Sequence, residues 1–252
     1  MMAGIVGCGL FPLPASPPPE TPPGKWRETE EMVEILVQRM DQFRSLRALA
    51  SVYYSGTDGS GGFQEVVLVQ RPQRVRLETL SPLGVVLLVT ADGDEISGFH
   101  PREGLFFRGR SSKQNLLRYT QIPLELGELT SLLMGLPPFE ARGLWEGNGS
   151  SIMRELGGGW KETISFHSTL EIPTDWRRTD PEGKVELKAQ FADFSSSAGY
   201  FPLKIFLEAP PQQKRLQIRY DEPDLNIELA PGLFVQEKPE NAKEVPLESL
   251  GG

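Results

Sequence analysis

RVRLETLSPLGVVLLVT, residues 74–90, holds two strands and the tip that joins them. In RVRLETL, Val75 and Leu77 fall on one side and Arg74, Arg76 and Glu78 on the other. That period-2 alternation marks a strand wet on one face. GVVLLVT (84–90) is apolar on both faces, and Ser81-Pro82-Leu83 between the two is turn-forming. Downstream, EISGFH (95–100) and LFFRGR (105–110) flank PREG, which suits a type I turn. The same alternation returns in KVELKAQF (184–191), where Val185, Leu187, Ala189 and Phe191 oppose Lys184, Glu186, Lys188 and Gln190. It recurs in RLQIRY (215–220) and DLNIEL (224–229), and GSGG, GNGS, GGG, DPEG and SSSAG punctuate the chain between such runs. About ten or eleven antiparallel strands follow from this spacing.

Two helices are expected. Val33, Leu36, Val37, Met40 and Phe43 recur at helical spacing and predict a helix near 29–50, with Thr29 as N-cap and Glu30 and Glu31 in its first turn. PLELGELTSLLMG predicts a second over about 124–134. Leu126, Leu129, Leu132 and Leu133 share its face, Gly135 can end it, and Pro137-Pro138 forbid its continuation. So many half-apolar strands cannot be covered by two helices if the sheet stays flat. The expected fold is therefore mainly β (α+β), a curved, unclosed antiparallel barrel plugged by the N-terminal and mid-chain helices. A curled sheet with so little inside it leaves room for an apolar hollow.

Composition narrows the function. Over 252 residues, 38% are hydrophobic and 24% charged, which excludes global disorder. A formal net charge of −8 argues against nucleic acid as a partner, since neutralising a phosphate backbone needs a basic face. Cys8 is the single cysteine, which excludes an internal disulfide and a thiolate metal cluster. No apolar run approaches the roughly 18 residues of a membrane-spanning helix. His100 and His167 lack metal-site spacing, and GTDGSGG (56–62) lacks the Lys-Ser/Thr of a phosphate loop. Asp221 and Glu222 sit in a wet turn, so no catalytic residue, metal or cofactor is expected. Asn148-Gly149-Ser150 fits a glycosylation acceptor and equally a turn. The basic run His100, Arg102, Arg108, Arg110, Lys113 and Arg118 reads as a solvated face before it reads as a lipid-headgroup site. Trp145, Trp160 and Trp176 read first as core.

The N-terminus carries the first resemblance. Ile5-Val6-Gly7-Cys8 resembles the lipobox of bacterial lipoproteins, in which a signal peptide is cut before a cysteine that then receives acyl chains such as palmitate. Only seven residues precede Cys8, without Lys or Arg, so either a true start lies upstream or the cysteine sits in an ordinary tail. Residues 9–25 include Pro12, Pro14, Pro17, Pro18, Pro19, Pro22 and Pro23. They favour an extended tether of on the order of 50 Å at about 3.1 Å per residue. The expected organisation is a truncated signal, lipobox and tether over 1–25 and one folded domain over 26–252.

PQRVRLETLSPLGVVLLVTADGDEISGF (72–99) resembles the LolB family of outer-membrane lipoprotein receptors, and IPLELGELTSLLMGLPP resembles that family's mid-chain helix. The tail LFVQEKPENAKEVPLESL is closer to LolA, the periplasmic carrier family. The resemblance covers roughly residues 32–250 and implies an unclosed barrel with an apolar cavity for acyl chains. It also implies that Leu83, within Pro82-Leu83-Gly84, enters the membrane during delivery; the competing expectation is that Leu83 folds back and closes the barrel end. The expected cavity lining is Val75, Leu77, Leu87, Val89, Phe106, Leu187 and Ile218. Function follows as a non-enzymatic, lipid-anchored, periplasm-facing outer-membrane lipoprotein. It would bind acyl chains of lipoproteins or lipid, with a periplasmic carrier protein as a further partner. Gly9 stands where some lipoprotein systems place an inner-membrane retention Asp. A tethered scaffold of the same fold in envelope assembly is the alternative, and an envelope hydrolase a third.

Overall fold

In the computed structural model, residues 28–247 are described; Cys8 and the proline-rich segment lie outside them. In chain order the elements are α1 (Thr29–Gln42), β1 (Ser45–Gly56), β2 (Gly59–Gln70), β3 (Arg74–Ser81), β4 (Gly84–Asp92), β5 (Glu95–His100) and β6 (Leu105–Arg110). Then come α2 (Lys113–Thr120), α3 (Leu126–Leu133), β7 (Glu146–Gly147), β8 (Ser151–Glu155), β9 (Lys161–Phe166), β10 (Pro173–Thr179) and β11 (Val185–Ser195). β12 (Phe201–Ala209), β13 (Lys214–Leu225) and β14 (Lys243–Pro246) complete the described residues. All fourteen strands join one sheet in the order β14-β6-β5-β4-β3-β2-β1-β13-β12-β11-β10-β9-β8-β7. Every pairing is antiparallel except β14 on β6, and β14 and β7 do not meet, so the sheet is unclosed.

Its curvature follows from the core. Laid flat, fourteen strands would span about 60 Å at ~4.8 Å spacing. Yet Ile152 of β8, Trp176 of β10, Leu187 of β11, Ile218 of β13, Val52 of β1, Val75 of β3 and Phe107 of β6 belong to one buried cluster. That cluster also takes Met32 and Leu36 from α1, Leu116 from α2 and Leu129 and Leu132 from α3. The sheet therefore wraps around three helices rather than two.

Four expectations are corrected. First, the strand count is fourteen rather than ten or eleven. Second, the first helix stops at Gln42, and residues 45–56 are strand. From Leu46 the apolar period changes to 2, with Leu46, Ala48, Ala50 and Val52 all buried. The helix buries Met32, Ile35, Leu36 and Arg39, and its N-cap is Glu28 rather than Thr29. Third, DLNIEL is not a strand beyond Leu225. Asn226 adopts φ 58° and breaks the ladder, and its side-chain amide donates to the Gln42 carbonyl at 2.8 Å, closing the end of α1. Fourth, the basic run of residues 100–118 contains a helix, α2, whose N-cap Ser112 accepts from the Asn115 amide. α3 forms as expected, starting in a capping box between Glu125 and Glu128 and ending at Gly135 with φ +66°.

After β13 the chain crosses the outer face of the sheet. Leu229 and Phe234 pack on Leu68, Arg76 donates to the Leu233 carbonyl at 3.1 Å, and the Gln236 amide donates to Thr90 and to the Ser97 carbonyl at 3.1 Å each. This strap delivers β14 to the edge of β6.

Candidate functional site

The β3–β4 tip is built to project. Gly84 has φ +106°, a region that favours glycine. The Ser81 hydroxyl donates to the Gly84 carbonyl at 3.0 Å and accepts from the Leu83 amide at 3.2 Å. Arg102 of the neighbouring β5–β6 turn adds a contact to Ser81. Pro82 and Leu83 thus stand beyond a braced turn, and Leu83 is 84% exposed. It does not fold back onto the barrel end.

Behind that tip the inner face of the sheet changes character along its strands. Away from the tips it is closed: Val67, Val69, Val75, Leu77, Val89 and Ala91 are all buried. Toward the tips it opens. Phe63, Leu87 and Leu216 are only partly covered, and Tyr54, which lies 6.2 Å from the Phe63 ring, is exposed. Glycines opposite the two tyrosines of β1 make room for their rings, Gly61 for Tyr54 on this face and Gly62 for Tyr53 on the other. Tyr53 and Tyr54 lie across from Gly62 and Gly61, and a Cβ at Gly61 would sit 2.8 Å from the Tyr54 hydroxyl. The concave face therefore has an apolar mouth at the end where Leu83 projects.

An acidic side chain lies just behind that mouth, at the next inward position of β2 after Phe63. On β2, Phe63, Glu65, Val67 and Val69 share the inward parity. Glu65 accepts from the Thr79 hydroxyl at 3.2 Å, and Ala50 separates it from Tyr220 in register. Burial pushes its carboxyl up to about 7 despite the Thr79 hydrogen bond. Burial, and then the charge of Glu65, push the phenols of Tyr119 on α2 and Tyr220 on β13 up as well. The Tyr220 hydroxyl donates to the Leu133 carbonyl at 2.8 Å, tying β13 to the end of α3.

The opposite wall carries an ion network. Glu162, 1% exposed, accepts from Arg154 at 2.7 Å and from Arg178 at 2.9 Å. Arg178 also reaches Glu128, so α3 is held to β10 by charge as well as by packing. Arg154 lies over the Trp145 ring, which stacks on Phe139 at 5.4 Å. Trp176 is fully buried.

The residues expected to line an acyl cavity do not all meet. Val75, Leu77, Val89, Leu187 and Ile218 lie in the buried cluster, with Leu87 packed against it. Phe106 does not join them. It alternates with Phe107, which does point into the cluster, and so faces the outer side, where Arg108 lies over its ring at 5.1 Å. The register error is one residue in LFFRGR, where two adjacent phenylalanines hide which face is inward. None of the seven lines any of three surface cavities. The two of about 770 Å³ are mostly polar, one beside Asp41, Arg44 and Arg71, the other beside Asp193, Arg219 and Asp221. The third, of about 260 Å³, lies beside Tyr53, Phe206 and Arg215. Glu65 escaped the sequence reading because the glycine-rich start of β2 hid the strand. The alternation of Phe63, Glu65, Val67 and Val69 was the signal available.

Among the described residues no cluster of His, Cys, Asp and Glu could hold a metal ion, and no helix is long and apolar enough to cross a membrane. His100 lies 3.8 Å from Glu103, and the His167 ring accepts from the Leu170 amide at 3.1 Å.

No family model matches the chain, and no curated protein matches it at a significant level. Solved structures do. A domain assigned to outer membrane lipoprotein sorting from Vibrio parahaemolyticus superposes with a TM-score of 0.56 at 13% identity, over 82% of this chain and 97% of that one. A DUF1329 family protein from Desulfovibrio piger gives 0.57 at 12% identity, over 82% and 96%. A LolA superfamily protein from Nitrosomonas europaea gives 0.54 at 14% identity, over 83% and 98%. In fold, this chain is similar to the LolA superfamily and to outer-membrane lipoprotein-sorting domains.

Proposed function

We propose that the protein is a non-enzymatic envelope lipoprotein that binds acyl chains of lipoproteins or lipids at the concave face and passes them to the outer membrane. The observation that supports this reading is the coincidence of two features at one end of the sheet. The apolar mouth formed by Tyr54, Phe63, Leu87 and Leu216 opens at the tips, and there Leu83 stands free on a braced turn. A leucine placed in a bilayer contributes roughly 1.5–3 kcal/mol, enough to favour membrane contact during transfer without anchoring the protein. Anchoring is assigned to Cys8, with residues 9–25 as the tether that lets the domain reach the periplasm or a carrier protein.

A second reading has its own support. Val75, Leu77, Val89, Leu187 and Ile218 are packed into the core, as a scaffold with a filled interior requires. One experiment separates the two. The chain is purified without detergent, extracted for lipid mass spectrometry and titrated with a fluorescent acyl probe, and transfer of the probe to vesicles is followed. Acyl binding predicts co-purifying lipid and saturable probe binding. It also predicts that Leu83→Glu slows transfer at least tenfold while the melting temperature and probe affinity stay near wild type. A chain that carries no lipid and takes no probe is the scaffold. A Leu83→Glu chain that transfers normally removes the tip from the mechanism.

A further inference from the structure

Glu65 is the feature that acyl binding alone does not explain. On the concave face it shares a rung with Thr79 and Leu87 and lies behind Phe63, with Tyr54 and Leu216 nearer the tips, apolar surroundings suited to hydrocarbon. A carboxyl there weakens a purely apolar site, because charge is disfavoured where water is scarce. The groups facing it from the packed elements are the Thr79 hydroxyl on β3 and the phenols of Tyr119 on α2 and Tyr220 on β13. Among the described residues Thr79 is its one hydrogen-bond partner, and no Lys or Arg pairs with it. The acid thus stands on the concave side of β2 with one oxygen that has no donor among the described residues.

We propose that Glu65 receives the polar head of the acyl ligand and that this head is a primary ammonium. The inference rests on acyl binding at the concave face and adds to it the chemistry of the head group. An ammonium supplies the missing donors and the missing positive charge in one group, and pairing in a half-buried site is worth more than in water. A phosphate or carboxylate head would set like charges together in the same site. The phenols, pushed up by burial, stay neutral and add no second negative charge. Burial keeps the empty carboxyl partly protonated near neutrality, so arrival of an ammonium ionises it and releases a proton to solvent. Two sources carry such a head: a lipid with an amine head group, and a diacylated polypeptide with a free α-amine.

The test uses the full chain loaded with a neutral pyrene-labelled alkane, displaced at about pH 8. Hexadecylamine is compared with hexadecanoic acid in wild type and in Glu65→Gln. Wild type should favour the amine at least tenfold, and Glu65→Gln should lose that preference while keeping its affinity for the alkane. Glu65→Asp, which shortens the acid by one methylene, should keep part of it. Two further pairs distinguish the sources: phosphatidylethanolamine against its N-acylated form, and a diacylated lipopeptide with a free α-amine against its N-acylated counterpart. Discrimination in either pair that vanishes in Glu65→Gln supports the assignment and names the source. Equal displacement by amine and acid in wild type overturns it, as does a preference that survives in Glu65→Gln; acyl binding stands in both cases. A chain that never takes the alkane overturns acyl binding and this inference together.

Discussion

Glu65→Gln should make the protein more stable, and the gain should depend on pH. In the fold burial raises the Glu65 carboxyl from its ordinary 4.5 to about 7. The folded chain therefore holds a proton that the unfolded chain releases, so stability falls as pH rises from about 4.5 to about 7 and is flat above that. Below about 4.5 both states are protonated and the contribution is fully present. A shift of roughly 2.5 units at about 1.36 kcal/mol each sets a ceiling near 3 kcal/mol. Glutamine keeps the shape and the acceptor for Thr79 but carries no charge at any pH. Wild type and Glu65→Gln should match at about pH 4.5, and by about pH 8 the variant should be ahead by on the order of 2–3 kcal/mol. At roughly 2–4 °C per kcal/mol for a chain of this size, that is a lead of about 4–12 °C in melting temperature. Urea unfolding of both proteins at several pH values, taken as a difference, cancels every titration they share. A difference that stays flat within about 0.5 kcal/mol, or that grows toward acid, refutes the reasoning.

Three further outcomes test the framework around the site. Glu162→Leu leaves Arg154 and Arg178 facing each other without their shared acceptor; calorimetry should show a loss of about 3–5 kcal/mol, and a loss below about 1 kcal/mol would mean that the network contributes little. At Gly98, which sits across from Phe107, a Cβ would lie 2.0 Å from that ring. Gly98→Ala should therefore cost about 1–3 kcal/mol, part of which Phe107→Leu should restore in the double variant; strict additivity of the two changes would show that the ring is not the obstacle. Gln236→Ala removes the donor that pins the strap to Thr90 and Ser97. Amide exchange at residues 243–245 should quicken, and unchanged exchange would place the hold elsewhere on the strap.

What could be read from the sequence was what local period carries. Arg74–Ser81 and Val185–Ser195 are strands with clean alternation, and Glu95–His100 and Leu105–Arg110 were marked by the Pro-Arg-Glu-Gly turn between them. The curling of the sheet followed from counting apolar faces against helices, and it survived a low strand count. Four things were hidden. Residues 45–50 continued a plausible helical pattern, and only the buried run Leu46, Ala48, Ala50, Val52 shows the change of period. β2 begins Gly59-Ser60-Gly61-Gly62, which reads as a loop until Tyr53 and Tyr54 are set opposite. α2 shows too few apolar residues, since Leu116 and Tyr119 alone of its turns join the core. Asn226 ended a strand by a backbone conformation that alternation does not reveal. For the site, the tip at Pro82-Leu83-Gly84 was legible as a turn, whereas the inward parity of Phe106 and Phe107 needed the register of the whole sheet.

The two ends of the sheet bear on solubility. A row of fourteen strands leaves a free ladder of peptide groups at either end, a template on which a second copy could add. Here one end is a two-residue strand, Glu146–Gly147, too short to nucleate pairing. At the other, Lys243–Pro246 lies along Leu105–Arg110 and finishes in a proline, which has no amide hydrogen to offer a newcomer. The C-terminal stretch therefore works as a stopper against chain-on-chain growth, and a protein truncated before Lys243 would bare Leu105–Arg110 as a sticky seam prone to fibrous assembly.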